Sequence, residues 1–176
     1  YEIDGLFKEK DTGDTPYFDI VYEMAKDDDN PMDLNFRITA YNRSSTKYGV
    51  LYIIPQVFFR NTWSWETTDR VKPHLSKTGN NFVTLNTEKY GTHYAIFAPS
   101  PGEFDSSEQG SDEENSDDEA ADVEPILLFT ENESNLKKLF NSKENPAPYT
   151  KDAFNEFIIH EDPLAVNTEE AGTKSC

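Results

Sequence analysis

The first third of the chain alternates apolar and polar side chains with a period of two, and that pattern limits the fold more than any other feature. In Tyr17–Lys26, Phe18, Ile20, Tyr22 and Met24 fall on one side, while Asp19 and Glu23 fall on the other. In Asp33–Arg43, Leu34, Phe36, Ile38 and Ala40 oppose Asn35, Arg37 and Thr39. Successive side chains of an extended strand point to opposite faces, so both runs read as half-buried antiparallel strands. Asp27-Asp28-Asp29-Asn30-Pro31 between them has the composition of a turn. Its carboxylates invite comparison with a calcium loop, but the sixth-position Gly and twelfth-position Glu of an EF-hand are missing, and a solvated turn is the better reading.

Further along, Tyr48–Phe59 is apolar on both faces, as a central strand would be. Pro55 lacks a donor for the ladder and predicts a bulge or a departure from one neighbour. Phe82–Asn86 and Thr92–Ala98, joined by a turn at Glu88–Gly91, read as two more strands, and Ile126–Phe129 as a later one. Helical spacing comes only late. Thr130-Glu131-Asn132-Glu133 has the form of a capping box with Thr130 as N-cap, and Leu136, Leu139 and Phe140 then share a face up to Asn145-Pro146-Ala147-Pro148. Asp152–His160 sets Phe154, Phe157 and Ile158 at similar spacing, with a strand as the alternative. The expected architecture is mainly β: an antiparallel two-sheet β-sandwich with one or two short helices near the C-terminal end.

Charge divides the chain. The 176 residues carry 34 acidic and 16 basic side chains, a net charge of -18. Eleven of the carboxylates lie between Glu103 and Glu124, where there is no Lys or Arg. Without them the balance is 23 acidic to 16 basic, or -7, which is ordinary for a soluble domain. The expected organisation is therefore a first part of a sandwich over 1–102, a disordered acidic insert over 103–124, and the rest of the sandwich with a helical connection over 125–176. Such a balance excludes a protein that neutralises nucleic-acid phosphates, and it argues against docking on anionic membrane. Twelve Phe, nine Tyr and two Trp supply bulk for a core outside the acidic run.

Several classes of chemistry find no support. His74, His93 and His160 have no metal-ligand spacing, and no phosphate-cradling loop or nucleophile elbow is present, so neither metal nor cofactor is expected. The single cysteine, Cys176, cannot form an intrachain disulfide, which fits a reducing compartment. No run approaches the ~18–20 apolar residues of a transmembrane helix. A cytoplasmic location is expected, while the sequons at Asn42 and Asn132 keep a secretory-pathway lumen open. The chain begins on Tyr1 without Met and stops on Thr-Lys-Ser-Cys, so a piece of a longer protein is expected. Within the acidic run, Ser111 and Ser116 are each followed three residues on by an acid, a pattern that an acidophilic kinase modifies. A structural domain with a phospho-regulated docking loop is thus one reading, and a plain spacer the other.

The densest motif is Phe58-Phe59-Arg60-Asn61-Thr62-Trp63-Ser64-Trp65. If extended, it sets Phe59, Asn61, Trp63 and Trp65 on one face and Arg60, Thr62 and Ser64 on the other. Indole rings stack on the apolar face of a pyranose, and amide and guanidinium groups hydrogen-bond its hydroxyls. The competing reading is two core tryptophans with Arg60 tying down a loop.

Taken in order, Tyr17-Phe18-Asp19-Ile20, Arg37–Arg43, the Pro55–Trp65 segment, Leu128–Asn135, Pro148–Asp152 and Asp162–Lys174 resemble the amino-terminal region of glycoside hydrolase family 63-like proteins, relatives of the processing α-glucosidase that trims mannosyl-oligosaccharides. The likeness runs nearly end to end apart from Glu9–Thr15 and the acidic insert. It implies an amino-terminal β-sandwich attached to an (α/α)6 barrel that hydrolyses α-glucosidic bonds with inversion, using an acidic pair on the barrel. No catalytic residue transfers to this chain, which is expected to be inactive alone. The implied partners are the catalytic domain of the same polypeptide and an oligosaccharide. Arg60, Asn61, Trp63 and Trp65, with Glu131, Asn132 and Asn135, are the candidates for touching sugar or the domain interface. A stand-alone carbohydrate-binding module with Trp63 and Trp65 as its platform is the alternative.

Overall fold

A computed structural model describes residues 17–44, 46–65, 71–98 and 124–176, which form two compact units that part between Ile53 and Ile54. The fold is mainly β, with antiparallel sheets, as the alternation predicts, and two short helices late in the chain, as the helical spacing there predicts. The acidic run over 103–123, with Ser111 and Ser116, lies outside the described residues.

The first unit is a hairpin of β1 (Phe18–Lys26) and β2 (Leu34–Asn42) in continuous antiparallel register, with Ile20 opposite Ala40, Tyr22 opposite Ile38 and Met24 opposite Phe36. The other face pairs Glu23 with Arg37 at 2.8 Å, and Asp19 takes Arg43 at 2.6 Å. Hydrogen bonding to Arg37, and then its charge, hold the Glu23 carboxyl below the usual range. The acidic turn closes on itself: the Asp27 carboxylate accepts the backbone N–H groups of Asp29 and Asn30 at 2.9 and 2.6 Å.

The central strand expected over Tyr48–Phe59 does not form. Tyr48, Val50 and Tyr52 are exposed, and regular pairing is confined to β3 (Val57–Phe58). Pro55 stands just before that pairing begins and has no N–H to extend a ladder backwards. The boundary between the two units also falls within this run.

In the second unit β4 (His74–Gly79), β5 (Phe82–Thr87) and β6 (Gly91–Ile96) follow, then β7 (Phe129–Thr130), α1 (Leu136–Phe140), α2 (Ala153–His160), a 3-10 turn at Pro163–Ala165, β8 (Ala171–Gly172) and β9 (Lys174–Ser175). One sheet has the order β6-β5-β4-β8 and the other β3-β9-β7. Leu75, Val83, Leu85, Leu127 and Phe129 fill the core they share, with Val57, Phe59, Ala95 and Phe97 at its margin. Leu128, between Leu127 and Phe129, turns the other way and packs with Phe154, Val166 and Cys176, joined by Phe157 of α2. The β3-β9-β7 sheet is therefore covered on both faces, which explains why Leu127–Phe129 is an unbroken apolar run, while Ile126 ahead of it stays exposed. Gly172 allows the closest approach: a Cβ there would overlap the Thr130 carbonyl oxygen.

The helices differ in part from expectation. Thr130 is a fully buried strand residue rather than an N-cap, because its backbone is committed to Lys174 across the sheet. Asn135 caps α1 instead, its side chain accepting from the Lys138 N–H at 3.1 Å. Leu139 and Phe140 stay exposed, and Asn141 ends the helix in the left-handed region at φ 52°. Asp152–His160 resolves as the helix α2, which buries Ala153 and Phe154.

Candidate functional site

Two strands that flank a third in the same sense must deliver their outgoing loops to the same end of a sheet. β3 and β7 both run antiparallel to β9, between them. The residues after β3 are Phe59–Trp65 and those after β7 are Glu131–Asn135, so the two segments meet although they lie about seventy residues apart.

The meeting is built on Glu133. Its side chain is 9% exposed and takes the Asn61 amide at 3.0 Å and the Trp63 indole N–H at 2.8 Å, with the Lys72 ammonium at 3.9 Å. Asn61 also donates to the Asn132 carbonyl at 2.7 Å, and the Asn132 amide returns a bond to the Phe59 carbonyl at 3.0 Å. Behind them, Thr173 just ahead of β9 accepts the Asn132 N–H and donates to Glu131, both at 2.7 Å. A buried carboxylate is tolerated where donors converge on it, and here two aligned N–H groups and a cation do so. Glu133 was legible only as a capping-box acid; nothing local in the sequence shows that its partners come from the β3 loop.

The Arg60–Trp65 stretch is not extended. It turns at Trp63–Trp65, with the Ser64 N–H on the Asn61 side-chain oxygen at 3.2 Å. The alternation proposed for it therefore does not apply. The Arg60 guanidinium lies over the Trp65 ring, 5.1 Å from its centre, and Trp65 is half exposed. Asn135 faces elsewhere: it links α1 to Asp152 at 3.2 Å and to Asn145 at 3.2 Å. Burial opposes ionisation of Asp152, but hydrogen bonds from Thr150 and Asn135 and the nearby Lys138 charge leave its carboxyl below the ordinary range.

Beside the Glu133 cluster lies a cleft of about 430 Å³ whose lining includes Asn61, Ser64, Asn132, Glu133, Ser134 and Lys151. Asn61 and Asn132 are candidates from the sequence; Ser134 and Lys151 emerge only from the fold. Leu136 and Pro146 complete the lining, so the cleft sets amide, hydroxyl and charged side chains against an apolar wall. Arg60, Trp63, Trp65, Glu131 and Asn135 do not line it.

Next to the cleft, Lys174 is buried with its ammonium 5.5 Å from the Phe58 ring centre and 5.3 Å from that of Phe154, donating to the Lys151 carbonyl at 3.2 Å. Burial lowers its pKa. The Cys176 thiol is pushed up to about 12, chiefly by burial. Of the histidines, His74 lies on β4 and His93 on β6, and His160 pairs with Glu156 on α2 at 3.5 Å. Among the described residues no three His, Cys, Asp or Glu side chains gather as a metal-binding group, and no helix is long and apolar enough to cross a membrane.

No protein-family model matches the chain. No solved structure matches it. It is 51% identical, over 179 aligned residues, to the uncharacterized protein YMR196W of Saccharomyces cerevisiae. That alignment takes in 100% of this chain but 16% of the yeast protein, so the chain spans less than a fifth of that relative's length.

Two outcomes follow from this geometry. Glu133→Ala strands two N–H donors and is expected to cost about 3 kcal/mol in denaturant unfolding. In a double-mutant cycle with Trp63→Phe the losses should fall short of additive by about 1 kcal/mol; additive losses would mean that the indole N–H and the carboxylate do not interact. The second outcome concerns alkaline pH. Unfolded Cys176 ionises near ~8.5 while the folded thiol keeps its proton to about 12, so the stability it contributes is whole below pH ~8.5 and is lost above it. Lys174 acts oppositely, since the unfolded chain holds its proton longer than the folded one. The stability difference between the parent and Cys176→Ala reports the thiol together with its coupling to Lys174, and it should shift by about 2 kcal/mol against the parent from pH 8 to pH 10. A pH-independent difference would contradict a buried thiol.

Proposed function

We propose that this chain is the amino-terminal β-sandwich segment of a longer α-glucosidase of the family 63-like glycoside hydrolases, with hydrolysis carried out by a helical barrel elsewhere in the polypeptide. The observation that carries this reading is the contact between Asn61 and Trp63 of one loop and Asn132 and Glu133 of the other. Asn61 and Trp63 belong to the most specific string of the resemblance, and Asn132 and Glu133 to another of its segments. A sequence likeness spread over distant segments gains weight when those segments share one hydrogen-bonded cluster. The 51% identical yeast protein is several times longer than this chain, which leaves room for a catalytic part in such a polypeptide.

In this reading the cluster is a scaffold, since the Trp63 indole N–H and the Asn61 amide are spent on Glu133 and the Asn132 carbonyl. What remains for a ligand or for the barrel is the cleft with Ser134, Leu136, Pro146 and Lys151. That cleft also supports the second reading, a carbohydrate-binding module competent by itself. The full-length polypeptide is expected to release glucose from an α-glucoside with inversion, followed by NMR of the nascent anomer, and the 176-residue chain to release none. Hydrolysis by the 176-residue chain, or none by the full-length protein on any α-glucoside, would overturn the proposal. Saturable changes in tryptophan fluorescence when gluco-oligosaccharides are added to the 176-residue chain, lost in Asn132→Ala, would favour the module instead.

A further inference from the structure

The two faces of the β1–β2 hairpin are unlike. One carries the Glu23–Arg37 and Asp19–Arg43 ion pairs, with Val21 and Tyr41 among them. The other pairs Ile20, Tyr22 and Met24 with Ala40, Ile38 and Phe36, and Leu34 extends it at the turn end. Ile20, Tyr22, Met24, Leu34 and Phe36 are each between 47% and 64% exposed. Taken by itself, the first unit leaves on the order of 500 Å² of this face bare, from the usual areas of such side chains, the upper range for a soluble monomer.

We propose that this face is an internal docking surface, covered in the full-length protein by an apolar sheet or helix face from another part of the same polypeptide. The inference rests on the chain being a segment of a longer protein, as in the reading above, but not on the glucosidase assignment. A two-stranded hairpin is marginal in water and needs packing against a third element to persist. Its residues nevertheless keep an unbroken register over nine pairs, with both ion pairs on one side and Lys26 the one charge on the other, at the turn end opposite Leu34, which is the pattern of an element that lies on an apolar partner. The area decides between occupants. Roughly 800 Å² per partner is normal for a stable association of separate molecules, and this face falls well short. A tethered partner does not pay the loss of translational freedom, so a small patch suffices. The yeast relative supplies the length: more than four-fifths of it lies outside the matched region.

Adjacent residues on opposite faces make the test. Met24→Cys and Ala25→Cys are introduced singly into the full-length polypeptide and into the 176-residue chain, and the rate of maleimide labelling at each site is read by mass spectrometry. In the full-length protein Met24→Cys should label at least tenfold more slowly than Ala25→Cys, while in the 176-residue chain the two rates should agree within about threefold. Ile20→Cys repeats the measurement at a second position should Met24→Cys fail to fold. Equal labelling in the full-length protein would overturn the proposal. So would protection already present in the 176-residue chain: if it grew with concentration the occupant would be a second copy, and if it did not the cover would lie within this chain. None of these outcomes depends on glycosidase activity, so the proposal and the functional reading fail separately.

Discussion

The pairing of β9 with β3 on one side and β7 on the other is the constraint from which the second unit follows. Lys174 and Ser175 meet Phe58 and Val57 across one edge and Thr130 and Phe129 across the other. The ladder continues through Leu128 and Cys176, which exchange backbone bonds at 2.9 and 3.0 Å. With both flanking strands running against β9, their loops leave at the same end, and the Glu133 cluster forms where they meet. The same central position buries both faces of the sheet, one against Leu75, Val83 and Leu85 and the other against Phe154 and Val166. Lys174 is caught in this, which is why its ammonium rests between two aromatic rings and not in water.

Where side chains carried the signal, the fold was readable from the sequence. The hairpin, β5 and β6 alternate cleanly, and the structure gives Phe18–Lys26, Leu34–Asn42, Phe82–Thr87 and Gly91–Ile96 close to the expected bounds. β8 and β9 were invisible because Ala171-Gly172 and Lys174-Ser175 are short and not apolar; they are strands only because neighbours pair with them. β4 has the same difficulty, with Leu75 its one buried apolar residue. Tyr48–Gln56 failed in the opposite way: it has strand composition but no partner strand among the described residues, and Pro55 interrupts its donors.

The site shows the same division. Asn61 and Trp63 were found from residue type, and Asn132 from the resemblance, but the reason they matter is Glu133, whose roles as helix cap and as buried acceptor look identical in one dimension. Local hydrogen bonding favoured the capping box; the β7 ladder and two N–H donors from a distant loop outweighed it. Ser134 and Lys151 carry no pattern at all and acquire meaning only as the wall of a cleft.

Native-state hydrogen exchange on the 176-residue chain tests most directly whether β9 organises the second unit. The amides of Leu128 and Thr173, bonded to Cys176 and Thr130 at 2.9 and 3.1 Å, should exchange only with global unfolding, as slowly as those of Val83 and Leu85 in the core sheet. Exchange of Leu128 and Thr173 orders of magnitude faster than Val83 and Leu85 would show that β9 is a frayed edge, and would contradict the account.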